Sequence, residues 1–291
     1  MADINQIEQE IQTLDTMQAL TRVYGEIAST RMKKTRENVV ASRQFLADIE
    51  SIFDDVRASY TQEVQKLIKK SSRGRKAPTI TFLSHNGKKV AVFLSSNTGL
   101  YGEIIPNTFR LFMQDVASGE FEVTIVGRQG LGLFTGTGTQ KPYTYFKFPE
   151  KEDEFESLSE IVEHIVLYDE VRLYYGKFES VITQKPVRQI ITSEILIDDQ
   201  KKGIKRKQYL FEPSLQSIMQ FFETEIFASV FNHAYREGQL AKYASRILAM
   251  DRAYENIKNE RILLNSQRLR IEHLIKNRKL LNSLPAVYKS I

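Results

Sequence analysis

The chain has 291 residues, of which 42% are hydrophobic, a composition typical of soluble globular proteins with one or two domains. It contains no cysteine, which excludes disulfides, thiolate metal sites and cysteine nucleophiles and fits a reducing compartment. Its net charge of +5 allows an acidic partner such as nucleic acid, anionic lipid or protein.

The sequence pattern indicates neither export nor a membrane-spanning segment. The opening stretch MADINQIEQEIQTLDT is acidic where a signal peptide needs a basic start and an apolar run. No stretch approaches the ~20 apolar residues needed to cross a bilayer. We therefore expect that the protein associates with a membrane, if at all, through a partner protein or through its own surface.

The first 60 residues carry the pattern of a long helix. Apolar or small residues recur there at spacings of three and four, which predicts a helix with a coiled-coil seam of up to roughly 85 Å. The seam positions predicted from this pattern are Ile4, Ile7, Ile11, Leu14, Thr21, Tyr24, Ala28, Thr35, Val39, Ser42, Phe45, Ile49, Ile52, Val56 and Tyr60. Between Glu26 and Phe45 the helix is rich in Lys and Arg and poor in large apolar residues, which indicates a helix surrounded by another molecule.

The segment KLIKKSSRGRKAP, residues 66–78, then breaks the helical pattern with Ser-Ser, Gly74 and Pro78. Its six cations favour a solvated linker. The alternative, a patch for nucleic acid or lipid, lacks interleaved aromatic residues and a recognisable binding fold around it.

The middle of the chain alternates between strand and helix patterns. KKVAVFLSS predicts a strand, IPNTFRLFMQDVAS an amphipathic helix and FEVTIVG the next strand. A second round follows, with YTYFKF as a strand, EFESLSEIVEHIVLYDEVRLYYG as a helix and ESVITQKPVRQIIT as strand material. This alternation predicts a small α/β layer.

Residues 215–284 again show a helical pattern, with a break near Gly238 left open. The sequence therefore predicts an α/β fold in which long N- and C-terminal helices form an antiparallel coiled coil around a small central, Rossmann-like α/β domain. The predicted boundaries are an N-terminal helix at 1–66, a basic linker at 67–78, the α/β domain at 79–208 and a C-terminal helix at 209–291. The stretch from Arg252 to Ile291 holds nine Lys or Arg against three Glu.

No motif for catalysis, metal binding or nucleotide binding is present in the sequence. The phosphate-binding pattern GxxxxGK[ST] is missing, and the four His show no zinc-site spacing. GRQGLGLFTGTG follows a strand, as a dinucleotide loop does, but Thr135 replaces the third glycine of that motif, so we interpret it as a plain loop. We expect no catalytic residue, no metal and no cofactor.

Four sequence blocks, in order, resemble the gamma subunit of rotary F-type ATP synthases. IASTRMKKT followed by ASRQF is similar to that family's MVAASKMRKAQ followed by ASRPY, and SSNTGLYG is similar to TSDRGLCG. YLFEPS resembles YIYEP, and AKYASRILAMDRAYEN resembles EHAARMMAMDNATDN. The blocks span nearly the whole chain.

The resemblance implies a non-catalytic central-stalk, or rotor, subunit that couples ATP synthesis or hydrolysis in a catalytic hexamer to rotation and ion transport. Its implied partners are the alpha- and beta-type subunits of the hexamer, an epsilon-type subunit and the membrane rotor ring, with no direct nucleic acid and with membrane association through partners at the cytoplasmic face. The implied hexamer contacts are Arg31, Lys33, Lys34, Arg36 and Arg268, and the implied structural turn comprises Gly99, Leu100 and Gly102. A shaft that turns in a sleeve should expose charged and small side chains.

Some positions depart from the family pattern. Asn97, Thr98 and Tyr101 stand where the family has Asp, Arg and Cys, and Pro285 is expected to end the last helix. These departures suggest a divergent branch and leave two alternatives open: a rotor-like subunit of a divergent ATPase that drives a different process, or a coiled-coil scaffold or nucleic-acid-binding protein.

Overall fold

A computed structural model describes residues 4–59, 85–149, 155–192 and 214–288, which form five helices and five strands. The helices are α1 (Ile4–Ser59), α2 (Ile104–Val116), α3 (Arg128–Gly136), α4 (Phe155–Ile165) and α5 (Leu215–Tyr288). The strands are β1 (Lys89–Leu94), β2 (Phe121–Val126), β3 (Tyr143–Phe146), β4 (Glu170–Phe178) and β5 (Gln184–Thr192). Long terminal helices and a central sheet confirm the predicted fold class.

The five strands form one mixed sheet in the order β3-β2-β1-β4-β5. The central strand β1 runs parallel to β2, from the pair Lys89 and Phe121 to the pair Leu94 and Val126, and it also runs parallel to β4. β3 pairs parallel with β2, whereas β5 pairs antiparallel with β4. Both neighbours of β1 are thus parallel to it, which brings the carboxyl ends of β1, β2 and β4 to one edge of the sheet.

Helices cover both faces of the sheet. α2 and α3 cover one face, where Phe112 stacks on Phe93 at 5.4 Å between ring centroids and meets the edge of Tyr174 at 5.4 Å. On the other face, α4 and the first half of α5 pack through fully buried side chains such as Ile161 and Phe231. Since both faces are covered, β1 reads as a continuous apolar run in the sequence.

The buried side of α1 follows an unbroken heptad. From residue 4 to residue 53, apart from Asn38, the buried and half-buried positions alternate at spacings of three and four. They are Ile4, Ile7, Ile11, Leu14, Gln18, Thr21, Gly25, Ala28, Met32, Thr35, Val39, Ser42, Leu46, Ile49 and Phe53.

Three of the seam residues predicted from the sequence were wrong. Tyr24, Phe45 and Ile52 are 40%, 52% and 52% exposed, and the adjacent residues Gly25, Leu46 and Phe53 take the seam instead. The prediction followed the large apolar side chains. It placed each of these three residues three positions after the preceding seam residue, where the buried pattern takes a step of four.

The chain divides into two compact units, Met1–Thr30 with Arg246–Ile291, and Arg31–Ser245. In the first unit, Arg261 Nη1 of α5 bonds Asp15 Oδ1 of α1 at 2.8 Å, and Met250 faces Gly25. α1 and α5 are antiparallel there, because the partner's number falls as the number in α1 rises.

The second unit, Arg31–Ser245, shows the same helix pairing. Ser42 of α1 lies 3.2 Å from His233 Nδ1 of α5, and the rings of Phe53 and Phe222 lie 5.8 Å apart. Within each unit the antiparallel pairing that the sequence predicted is therefore present.

Two predictions about the middle of the chain were wrong. GRQGLGLFTG forms helix α3 and not a loop, because Gly127 and Gly130 let its first turn lie against Ser95 and Ser96. The helix predicted through EVRLYYG ends at Ile165, and Glu170–Phe178 is the strand β4. β4 alternates between half-buried and buried residues only at its start, and Leu173 to Gly176 are all buried, so this apolar run resembled a continued helix.

The end of α5 also differs from the prediction. The helix passes Gly238 without a break and runs to Tyr288, through Pro285. A proline so close to a helix end removes one hydrogen bond of the last turns and has little helix beyond it to disrupt. The predicted linker at 67–78 lies outside the described residues, and the four domain boundaries stay a prediction.

A charged cluster joins α2 to the edge of the sheet. Asp115 near the end of α2 accepts hydrogen bonds from Tyr174 OH, from Arg172 Nη1 at 3.1 Å and from Arg188 Nη1 at 2.9 Å. Burial alone would raise the pKa of Asp115, but the bonds from Tyr174, Arg188 and Arg172 outweigh it and lower the pKa below 3.8.

This cluster makes stability depend on pH in the acid range. A carboxylate whose folded-state pKa is lowered stabilises the fold above its unfolded pKa, near 3.8, and loses that contribution as the pH falls through the lower folded value. We expect Asp115→Asn to lower the urea midpoint at pH 7 and to converge on the wild type near pH 2. Glu163→Gln, an exposed change on α4, is the control, and a constant gap between Asp115→Asn and wild type at all pH values would contradict this role.

Candidate functional site

The four cations predicted on α1 lie on its exposed surface. Arg31, Lys33, Lys34 and Arg36 are all exposed, while Thr35 between them is buried. Since the seam residue turns inward, the cations flank it and face away from the chain's own core. Their contact with a partner stays a prediction.

Arg268 lies in the other unit and in a different environment. Its side chain is 35% exposed, and Nε lies 3.7 Å from Glu272 Oε1, one helical turn further along α5. The two form an ion pair, although Nε itself makes no hydrogen bond. Arg268 is therefore partly engaged within its own helix, and its role as a partner contact also stays a prediction.

The predicted turn follows the central strand β1. Leu100 and Gly102 adopt positive φ angles of 66° and 57°, whereas Gly99 does not. A leucine in the left-handed region is uncommon, and Leu100 is also 56% exposed. The turn thus holds an apolar side chain outward in a backbone conformation that most residues avoid.

Buried polar side chains hold this turn to the sheet. Ser95 Oγ donates to Val126 O at 2.8 Å and accepts from Gly130 N at 2.9 Å. Asn97 Nδ2 donates to Phe148 O at 2.7 Å, and its Oδ1 accepts from Phe148 N at 3.1 Å. The turn is therefore tied to β2, to α3 and to the segment after β3.

Two residues that sequence reasoning missed tie the same turn to α5. Lys242 Nζ donates to Ser95 O at 2.6 Å, and Ser245 Oγ donates to Tyr101 O at 2.6 Å. Both side chains are only 6% exposed. The available signal was a single lysine inside the small-residue stretch AKYAS, since small residues on a helix indicate close packing and a lysine there needs a buried acceptor.

Both terminal helices expose more large apolar side chains than expected. A surface of charged and small residues was predicted, but α1 exposes Met17, Leu20, Val23, Tyr24 and Ile27, and α5 exposes Ile262, Leu263, Leu269, Leu274, Ile275, Leu280 and Leu281. The heptad seam occupies only two positions in seven, so these residues belong to other faces of the helices. Apolar side chains that form a contiguous surface patch are suited to contact with another protein.

The last turns of α5 extend past the start of α1. Asp15 pairs with Arg261 and Gly25 faces Met250, so the partner of Ile4 lies near residue 271. Residues 273–282 are all exposed. We call this segment, which extends beyond the level of Ile4 in the antiparallel pairing, the overhang.

Two features of the described residues bear on metal and phosphate binding. These residues contain no group of three or more His, Asp or Glu side chains that would hold a metal ion. The first amides of α3, where a phosphate would bind, already donate to Ser96 O at 2.8 Å and to Ser95 Oγ at 2.9 Å. His164 lies 3.2 Å from Thr124 Oγ1, and burial lowers its pKa, so it is an ordinary packed histidine.

Within residues 4–59, 85–149, 155–192 and 214–288, no helix has both the length and the apolar content that crossing a bilayer requires.

Known proteins resemble this chain over most of its length. The family model described as ATP synthase matches residues 3–270. The ATP synthase gamma chain of Desulforamulus reducens is 24% identical over 266 residues, which cover 89% of this chain and 88% of that protein. The ATP synthase gamma chain of Desulfitobacterium hafniense is 24% identical over 285 residues, 93% of each chain.

Solved structures share the fold. The rotor of the Euglena gracilis mitochondrial ATP synthase superposes with a TM-score of 0.64 at 16% identity, over 94% of this chain and 98% of that one. The central stalk and c-ring structure of the Tetrahymena thermophila mitochondrial ATP synthase gives 0.58 at 19% identity, over 80% and 99%.

Proposed function

Because this chain belongs to the ATP synthase gamma-chain family and is a non-catalytic central-stalk subunit, we propose that its terminal helices transmit rotation between a catalytic hexamer and a membrane rotor ring. The observation that carries the proposal is the match of the family model to residues 3–270, which includes most of both long helices and the whole sheet. The chain works as part of a complex attached to a membrane.

The proposed contacts with the alpha- and beta-type subunits are the exposed cations Arg31, Lys33, Lys34 and Arg36, together with Arg268. Their support is exposure and charge, since α1 turns these four cations outward. Complementary carboxylates on the hexamer would meet them, as charged surfaces of opposite sign do in transient interfaces. The epsilon-type subunit and the rotor ring are the proposed partners of the α/β domain.

The mechanism requires no chemistry from this chain. A single asymmetric subunit inside a ring makes otherwise equal catalytic sites unequal, so nucleotide binding and hydrolysis at each site in turn favour different rotor angles. Rotation imposed from the membrane would drive the same states in the opposite order. The chain's part is to be stiff, asymmetric and attached at both ends.

We also propose the cytoplasmic face of the membrane as the location of this subunit. Its support is the absence of cysteine, which fits a reducing compartment.

The alternatives gain no support from the comparisons reported above, which are all with ATP synthase components. A scaffold or nucleic-acid-binding protein would use the same cations to bind phosphates, with an affinity that falls steeply with salt. A divergent rotor that drives another process would share the hexamer contacts and differ in its partner at the α/β domain.

Neutralising the four α1 cations tests the hexamer contact. We expect the combined change Arg31→Gln, Lys33→Gln, Lys34→Gln and Arg36→Gln to weaken binding to the hexamer roughly tenfold to a hundredfold at low salt, because several exposed ion pairs are lost together. The measurement is the affinity of the purified chain for the hexamer from the same cells, at about 0.05 and 0.5 M salt.

A matched variant controls for net charge. It neutralises four exposed cations of the α/β domain, Arg110, Arg128, Lys147 and Lys177. If both variants bind the hexamer as tightly as wild type, or if both weaken equally, the proposed contact is wrong. A difference that vanishes at high salt supports it.

A further inference from the structure

The turn after β1, residues 95–101, lies between the sheet and α5 and is bonded to both. On the sheet side, Ser95 and Asn97 bond to the backbone of Val126 and Phe148. On the helix side, Lys242 and Ser245 donate to the carbonyls of Ser95 and Tyr101, each at 2.6 Å. Beside the apolar packing of α5 on the sheet, this segment therefore gives α5 a directional link to the sheet.

Next to this turn the packing of α5 against β4 is shallow, whereas nearer its start α5 packs on the sheet through the large side chains of Phe227, Phe231 and Tyr235. The residues of α5 at this contact are small: Gly238 faces Tyr175, and Ala241 faces Gly176, where an added Cβ would lie 3.3 Å from the Cβ of Ala241. Interlocking of side-chain ridges and grooves is what fixes one element against another, and small side chains make shallow ridges. At this end of the contact, the bonds from Lys242 and Ser245 therefore add a directional restraint to the apolar packing.

Burying the charged side chain of Lys242 at this position costs free energy. Its side chain is 6% exposed, and its ammonium lies 3.4 Å from the centroid of the Phe148 ring as well as 2.6 Å from Ser95 O. Burying an ammonium costs several kcal/mol before its contacts are counted, and an apolar side chain of similar volume often stabilises such a site as well or better. Stability alone therefore does not account for a lysine at this position.

We propose that Lys242 and Ser245 form a latch that transmits torque between α5 and the α/β domain. This inference rests on the proposed function, since a chain that does not rotate transmits no torque. The two residues are positioning residues: they touch no nucleotide and act by fixing the angle of α5 against the sheet. The latch consists of two hydrogen bonds, to Ser95 O and to Tyr101 O. Their donors, Lys242 and Ser245, lie about one turn apart on α5.

A rotation assay under load tests the latch in the assembled complex. Because the natural chain has no cysteine, a single Ile182→Cys change, at a position 76% exposed between β4 and β5, attaches a bead to the α/β domain alone. The complex is held by its hexamer, and the stall torque at the bead is measured for the background variant and for added Lys242→Met or Ser245→Ala. Ser42→Ala, which removes a contact between α1 and α5 away from the turn, is the control.

We expect Lys242→Met to lower the stall torque about twofold or more, because it removes the charged member of two parallel bonds. For Lys242→Met, the rate of ATP hydrolysis without load and the melting temperature should stay close to those of the background variant. Lys242→Arg should keep more of the stall torque than Lys242→Met does, and Ser42→Ala should leave the stall torque unchanged. An unchanged stall torque in Lys242→Met and in the double variant with Ser245→Ala overturns the latch. Failure of the Ile182→Cys background complex itself to rotate overturns the proposed function instead.

Discussion

Gly127→Ala is expected to lower the free energy of unfolding by about 2–4 kcal/mol, the largest effect among single substitutions considered for this chain. Gly127 has φ 103° and ψ 145°, a region that glycine alone occupies at low cost. An added Cβ would also lie 2.7 Å from both the backbone nitrogen and the backbone oxygen of Ser96, and backbone atoms cannot move aside as a flexible side chain can. The substitution would push the start of α3 away from the turn after β1.

The control for this prediction is Gly132→Ala in the same helix. Gly132 is exposed, and an added Cβ there meets nothing within 4 Å, so alanine should be neutral or stabilise by up to about 1 kcal/mol through helix propensity. Chemical denaturation of both variants measures the difference. Equal stabilities of the two variants would show that the close approach at Gly127 does not constrain the fold.

A chain that ends at Glu272 is expected to fold normally and to bind the hexamer more weakly. The deleted segment includes the overhang, whose residues 273–282 are all exposed and so contribute little burial within this chain. It also removes the exposed side chains of Leu274, Ile275, Leu280 and Leu281, which are suited to contact with another protein. We expect affinity for the hexamer to fall at least about tenfold, as the loss of a few buried apolar side chains at an interface does.

Two further variants separate the causes. One changes the four apolar residues of the overhang to Gln, and the other changes Lys276, Arg278 and Lys279 to Gln. The apolar variant should reproduce most of the truncation's effect at high salt, where charge contacts are screened. Loss of the α/β fold on truncation, seen as a lowered melting temperature with altered circular dichroism, would contradict the view that the overhang serves only contacts outside the chain.

The regular parts of this fold were predictable because their signals are local. The spacing of apolar residues in α1 and the apolar run of β1 are local signals, and similar local patterns predicted the helix α2 and the strand β2 that follow β1. β4 alternates only over its first residues, since Leu173 to Gly176 are all buried, and the start of α3 depends on a close approach between Gly127 and Ser96 that a single sequence does not display. These two elements required tertiary information.

The candidate site was predictable only in part, because some of its bonds join residues that lie far apart in the sequence. Exposure of Arg31, Lys33, Lys34 and Arg36 follows from their places beside the seam. The bonds of Lys242 and Ser245 join residues almost 150 positions apart, and their acceptors are backbone carbonyls, which every residue carries. No side-chain pattern in the turn itself marks those carbonyls as partners.

The most direct test of the rotor assignment is a native mass measurement on the tagged chain, purified gently from its own cells, with ATP hydrolysis assayed on the same fraction. A central-stalk subunit should appear as a single copy bound to a hexamer of two kinds of nucleotide-binding subunit, and the fraction should hydrolyse ATP. Recovery of a monomer or homodimer without ATPase activity, or of the chain bound to nucleic acid, would contradict it.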